Sequence, residues 1–178
     1  MKPSIVLLCA VAVFVVVACE EKIKPSVLLN LDSNSLPKQE SWDSQILVSD
    51  SGKIKARIHS GYIRVYEYPQ ETRMSDGVIV HFFDENGEES SVLTSEQGKV
   101  DDGTNNLEAI GNVIVTSRDS TILRTTRLFW DNKQRLIHTP EFVDITSPKE
   151  KIQGKGFEAH QNLKNYRIFQ VTGQAKTE

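Results

Sequence analysis

From Trp42 to the end of the chain, apolar and polar residues alternate in short runs. Strand-like segments include QILVSDS, KIKARIHS, YIRVYEY, GVIVHFFDE, SSVLTSE, NLEAIGNVIVTS, ILRTTRLFW, RLIHT, EFVDITS, KIQGKGFEA and NYRIFQVTG. Their β-branched and aromatic residues recur with a period of two, which suits half-buried strands. Turn-forming clusters separate them: Asp50-Ser51-Gly52, Asp84-Glu85-Asn86-Gly87, the polar stretch 101–106, Asp131-Asn132-Lys133 and Ser147-Pro148. No window supports a long amphipathic helix. The pattern predicts an all-β fold of short antiparallel strands, in a sandwich, roll or barrel.

The pattern also repeats. At an offset of 30, Leu107 meets Ile137, Val113 and Val115 meet Val143 and Ile145, and Ile122 meets Ile152. Val78-Ile79-Val80 matches Val113-Ile114-Val115 at an offset of 35, and Phe169, Val171 and Gly173 match Leu107, Ala109 and Gly111 at an offset of 62. A single hairpin unit cannot bury its apolar face alone, whereas stacked copies build one long apolar trough. Strand parity then assigns faces. Val78, Val80 and Phe82 are expected inward, as are Leu107, Ala109, Val113, Val115, Val143, Ile145, Phe169 and Val171. His81, Asn112 and Asp144 are expected outward. The last strand, NYRIFQVTG, is followed only by five polar or small residues, so Tyr166, Ile168, Gln170 and Val171 are expected on an open edge offered to a partner strand.

The N-terminus follows a different pattern. Ile5 to Cys19 is an unbroken apolar run after Lys2. At about 1.5 Å per residue it would span roughly 22 Å as a helix, short of the ~30 Å hydrocarbon core. It fits the core of a secretory signal, and its end, Val16-Val17-Ala18-Cys19, fits a lipobox. Residues 1–19 are thus a lipoprotein signal peptide or, alternatively, a membrane anchor retained as a tilted helix. Cys19 is the expected lipid attachment site. Residues 20–41 contain two prolines and many Ser and Asn, and read as a flexible tether. Within them Val27-Leu28-Leu29 forms either a short helix or a strand docked on the body. Residues 42–178 form the β body.

Charge and chemistry narrow the function. The 178 residues carry a net charge of −3, and cleavage after residue 18 removes one Lys and no acid, leaving −4. That balance excludes a nucleic-acid partner, which needs a basic face. Both cysteines, Cys9 and Cys19, lie in the leader, so the body has no disulfide and no thiol chemistry. His59, His81, His138 and His160 lack metal-pair spacing, and the paired acids at 84–85, 88–89 and 101–102 sit in predicted turns. Gly154-Lys155-Gly156 lacks the spacing of a phosphate loop, and no GxSxG occurs. No catalytic residue, metal site or cofactor is expected. What remains is apolar burial and strand edges. A competing reading is a carbohydrate-binding surface lipoprotein with a β-sandwich that uses Trp42 and Trp130.

The order GNVIV, LFWD, LIHTPEFVDIT, KIQGKGFEA, with DSGKIKARI and DGVIVHFFDENGEESSVLTSE upstream, resembles the LptC family of lipopolysaccharide-export proteins. The likeness runs from about Trp42 to Thr172 and is nearest to lipoprotein versions from Bacteroidetes-type bacteria. The resemblance implies an antiparallel β-jellyroll, V-shaped and built from repeats, with acyl chains inside the V. It implies a place on the periplasmic face of the cell membrane, the inner membrane favoured. The implied partners are lipopolysaccharide, the inner-membrane ABC transporter subunits and an LptA-like periplasmic bridge protein, with the membrane engaged through the lipid anchor.

Overall fold

The computed structural model describes residues 36–160 and 165–176. Cys19, the segment 1–19 and most of the tether lie outside the described residues. Ten strands follow in chain order: β1 (Gln39–Asp50), β2 (Lys53–Tyr66), β3 (Glu71–Phe83), β4 (Glu89–Ser95), β5 (Gln97–Asp101), β6 (Asn106–Ser117), β7 (Ile122–Asp131), β8 (Leu136–Thr146), β9 (Glu150–His160) and β10 (Tyr166–Lys176). β1 takes in residues 39–41, so the sheet starts three residues before Trp42. All pairings are antiparallel, in the order β1-β2-β3-β4-β6-β7-β8-β9-β10, with β5 between the lower halves of β3 and β6. β4 and β5 together fill one strand position, broken at Glu96. The fold is all-β and antiparallel, as the alternation predicts, and has the form of a jellyroll-type sandwich.

A transverse crease turns this one sheet into two facing layers. Val113 and Val143 are 0% exposed, which a single bare sheet cannot achieve. The upper half of each strand carries inward residues such as Ile58, Val80, Leu93, Val115, Leu123 and Ile145; the lower half carries Ile63, Met74, Leu128 and Phe157; all belong to one buried cluster. The register explains the fold line. Across the crease, successive inward residues are three apart on β2 (Ser60, Ile63), β7 (Thr125, Leu128) and β9 (Gly154, Phe157). They are four apart on the intervening β3 (Met74, Val78), β6 (Ala109, Val113) and β8 (Thr139, Val143). Alternate strands therefore carry one extra residue, a row of β-bulges that bends the sheet along a line.

The extra residue needs unusual backbone angles. Asp76, Gly77, Gly111 and Asn112 all have positive φ, a region that favours Gly, Asn and Asp. At Gly111 a Cβ would meet the Glu96 side chain, and the positive φ would strain any other residue. On the shorter strands, buried hydroxyls satisfy carbonyls that the ladder releases. Ser60 Oγ lies 3.1 Å from Tyr62 O and 2.9 Å from Ser75 O. Ser95 Oγ donates to Gln97 O at 2.9 Å, and Thr125 Oγ1 to Phe142 O at 2.9 Å. These residues look like odd polar interruptions in the sequence; each fills the hydrogen-bonding deficit of the crease.

Candidate functional site

The interior face is built from transverse rows of directly opposed residues. Nearest the crease the rows are closed. Val78, Val80, Val113, Val115, Val143 and Ile145 are all buried, and Phe82 and Ala109 pack partly buried against them. Along the lower margin one row stays half-open. It runs Val65, Thr72, Val100, Leu107, Trp130, Ile137, Ala159, Tyr166, each opposite the next. Val65, Val100, Leu107, Trp130, Ile137 and Tyr166 keep part of their surface in solvent, while Thr72 and Ala159 between them are buried. At roughly 4.8 Å per strand the row extends on the order of 35 Å across the sheet. It offers apolar surface and, apart from the neutral Tyr166 phenol, nothing that titrates.

Of this row the sequence reading places only Leu107 in the interior, and it assigns Tyr166 to the partner edge. The repeat offset pairs Leu107 with Ile137 and so held the signal for Ile137. Trp130 was hidden, because its strand crosses the crease in three residues and parity flips between Thr125 and Leu128. Trp130 lies between Leu107 and Ile137 on the interior side, so it does not form a joint surface with Trp42, which is 66% exposed on β1.

The expected inward placement of Phe169 does not hold: it is 58% exposed, whereas Val171 shares the interior side with Gly154, which it is opposite, yet is 55% exposed. Ile168 is opposite Phe157 and Tyr166 is opposite Ala159, so these two take the interior side of β10 and pack on the core. Phe169 instead lies against Gly156, whose Cβ position is 3.1 Å from the Phe169 ring. Val171 sits opposite Gly154 at the sheet margin, where no further strand covers it. The echo at an offset of 62 is therefore not a structural repeat. Tyr166 and Ile168 serve the core, and the exposed side chains of the edge include Gln170 and Val171.

A row of charged residues lies on the outer face. Arg64, Arg73, Lys99 and Glu108 form one outer row, each opposite the next. Beside it Glu71, 3% exposed, is gripped by Arg73 and by Lys99 Nζ at 2.5 Å. Burial pushes the Glu71 carboxyl up, but hydrogen bonds from Lys99 and Arg73 outweigh burial and hold it below the ordinary 4.5. Burial raises the pKa of the Tyr166 phenol, and the Glu150 carboxylate raises it further. Glu150 belongs to the upper half of β9, so this interaction spans the interior between the two layers.

β1 and β10 each have a single neighbour, so among the described residues both ends of the sheet are open. No group of three or more His, Cys, Asp or Glu side chains among the described residues is placed to hold a metal ion. No helix among them is long and apolar enough to cross a membrane.

A family model described as lipopolysaccharide-assembly, LptC-related, matches residues 6–177. The match covers nearly the whole chain, and the chain belongs to that family. Membership carries a role in lipopolysaccharide transport, on the periplasmic side of the inner membrane. Comparison with curated proteins gives no match.

Proposed function

We propose that this member of the LptC-related family is a lipid-anchored link in a periplasmic bridge. It receives lipopolysaccharide from an inner-membrane ABC transporter and hands it to an LptA-like protein. The observation that carries this reading is the half-open apolar row from Val65 to Tyr166, which reaches the open edge at β10. A lipid with several acyl chains loses about 0.8 kcal/mol per CH₂ exposed to water. An apolar row that remains partly open in the folded protein takes up such chains without unfolding the core. Cys19, if acylated, fixes the body at the membrane with an affinity that grows with each added chain. Strand pairing at the two sheet edges would join the row to its neighbours on either side.

Photo-crosslinking tests the path. Probes at Leu107 and Ile137 are expected to capture lipopolysaccharide in cells, and probes at their outward neighbours Glu108 and His138 are not. Val113 and Val143, buried at the crease, are expected to label weakly unless the layers part. Equal labelling of 107 and 108 would refute the lipid path.

A further inference from the structure

Among the described residues, Trp42 is the most exposed of the large apolar side chains, at 66%. It stands on the outer side of β1, opposite Tyr62, and its ring stacks on Tyr62 at 5.3 Å with 21° between planes. Tyr62 is itself held twice. Its hydroxyl donates to the Glu40 carboxylate, and the Arg64 guanidinium lies 5.1 Å from its ring centroid. One face of the indole is thus braced, and the other is left to water. A tryptophan that served only to fill the sheet surface needs no such brace.

The polar surroundings are only partly engaged. Glu40 is directly opposite Arg64, yet its carboxylate takes the Tyr62 hydroxyl. Arg64 makes no ion pair among the described residues, and its Nε is buried without a partner. Asp43, its side chain 88% exposed, follows Trp42 directly and meets His59 Nε2 at 3.3 Å. An aromatic plate is therefore bordered by a guanidinium and two carboxylates.

We propose that Trp42 is the platform of a saccharide-binding site, with Arg64, Glu40 and Asp43 as its polar rim. A pyranose ring shows a patch of C–H groups on one face and hydroxyls at its edge. The C–H patch packs on an indole face, and the hydroxyls accept from a guanidinium and donate to carboxylates. A plate held in advance loses little conformational entropy on binding. The ligand class is a neutral or weakly charged sugar. It comes either from the carbohydrate part of the transported lipid or from a separate cell-envelope glycan. The site lies on the outer face, apart from the apolar row, so it stands or falls independently of the lipid path.

The test uses the full chain in detergent with ¹⁵N-labelled indoles, which gives two side-chain signals, Trp42 and Trp130, assigned with Trp42→Phe. One titration uses acyl-free oligosaccharide released from lipopolysaccharide; the other uses the disaccharide repeat of cell-wall glycan. Trp42 is expected to shift with one of them while Trp130 stays still, and the arm that responds identifies the source. Trp42→Ala is expected to lower affinity about tenfold or more, Trp42→Phe to retain part of it, and Arg64→Gln to fall between. Because Trp42 is exposed, circular dichroism should show the parent fold in every variant. The proposal fails if neither sugar moves the Trp42 signal, or if Trp42→Ala binds as well as the parent. It also fails if Trp42 responds only to a partner protein, which would assign this surface to strand pairing at β1. Crosslinking at Leu107 in Trp42→Ala separates the two readings: it should persist when sugar binding is lost.

Discussion

The crease makes a quantitative prediction at Ser60. This residue is 0% exposed, and its Oγ lies 3.1 Å and 2.9 Å from the carbonyls of Tyr62 and Ser75. Ser60→Ala removes one oxygen, so the cavity left behind is small. The loss comes from the buried carbonyl that takes the single hydroxyl proton and no longer has that donor. Leaving such a group unsatisfied costs about 1–3 kcal/mol. A loss of about 2 kcal/mol should lower the melting temperature of a body this size by roughly 5–8 °C. The assay is urea denaturation followed by circular dichroism, where the midpoint falls and the slope is unchanged. Thr125→Val is the companion, because it keeps volume and removes the bond to Phe142 O at 2.9 Å. β2 and β7 are not neighbours in the sheet, so the two losses should add. Ser44→Ala, at an exposed hydroxyl bonded to Trp42 O, should change stability by less than about 0.5 kcal/mol. If Ser60→Ala and Thr125→Val both unfold at the parent's midpoint, the crease is not held by these hydroxyls.

Three further outcomes are expected. The depressed pKa of Glu71 contributes stability that is present above its ordinary value of 4.5 and is lost as pH falls through the folded value; Glu71→Gln should cost about 1–3 kcal/mol at pH 7, with the gap to the parent closing on titration towards pH 3, and a gap independent of pH would contradict the ion-pair account. Val171→Pro on the last strand should weaken pull-down of an LptA-like partner while leaving most of the fold intact; undiminished binding by a folded variant would move docking to β1. Cys19→Ala should abolish lipid modification, read by intact mass, and a parent chain that begins at Met1 without lipid would disprove the anchor.

The inward face was legible wherever a strand crosses the crease in four residues. On β3, β6 and β8 an even step preserves parity, so Val78, Val113 and Val143 continue the alternation of Met74, Ala109 and Thr139. The same fact accounts for the repeat at offsets of 30 and 35. On β2, β7 and β9 the three-residue step reverses parity, and strict alternation loses the second half of each strand. Thus Trp130, Phe157 and Ala159 went unread although all three face inward. The β10 error has another origin. In YRIFQV both parities carry apolar residues, so the pattern is symmetric, and only pairing with Phe157 and Ala159 decides the face. The first half of β3, ETRMSD, reads as polar loop. It becomes strand where Glu71 gains Lys99 from the adjoining β5 as well as Arg73 on its own strand, a stabilisation that has no sequence period.

The division between closed and half-open rows bears on how such a body moves cargo. A site that enclosed an acyl chain completely would return the full ~0.8 kcal/mol per CH₂ as a barrier to release. On the proposed path, the row from Val65 to Tyr166 would remove only part of that surface from water, so departure would cost correspondingly less. Bulky side chains at Leu107, Trp130, Ile137 and Tyr166 are spaced by strands, about 4.8 Å apart where they adjoin, and each presents similar chemistry to the next. Sliding a chain by one strand therefore exchanges like contacts for like. Stability, meanwhile, rests on other residues: Val113, Leu123, Val143, Ile145 and Phe157 are each at most 3% exposed and need not move when the row is occupied. The row ends at Tyr166 on a strand whose outer N–H and C=O groups face no neighbouring strand among the described residues. A partner strand added there would place its own inward residue one strand spacing beyond Tyr166, and the row would continue into the next protein without a polar gap.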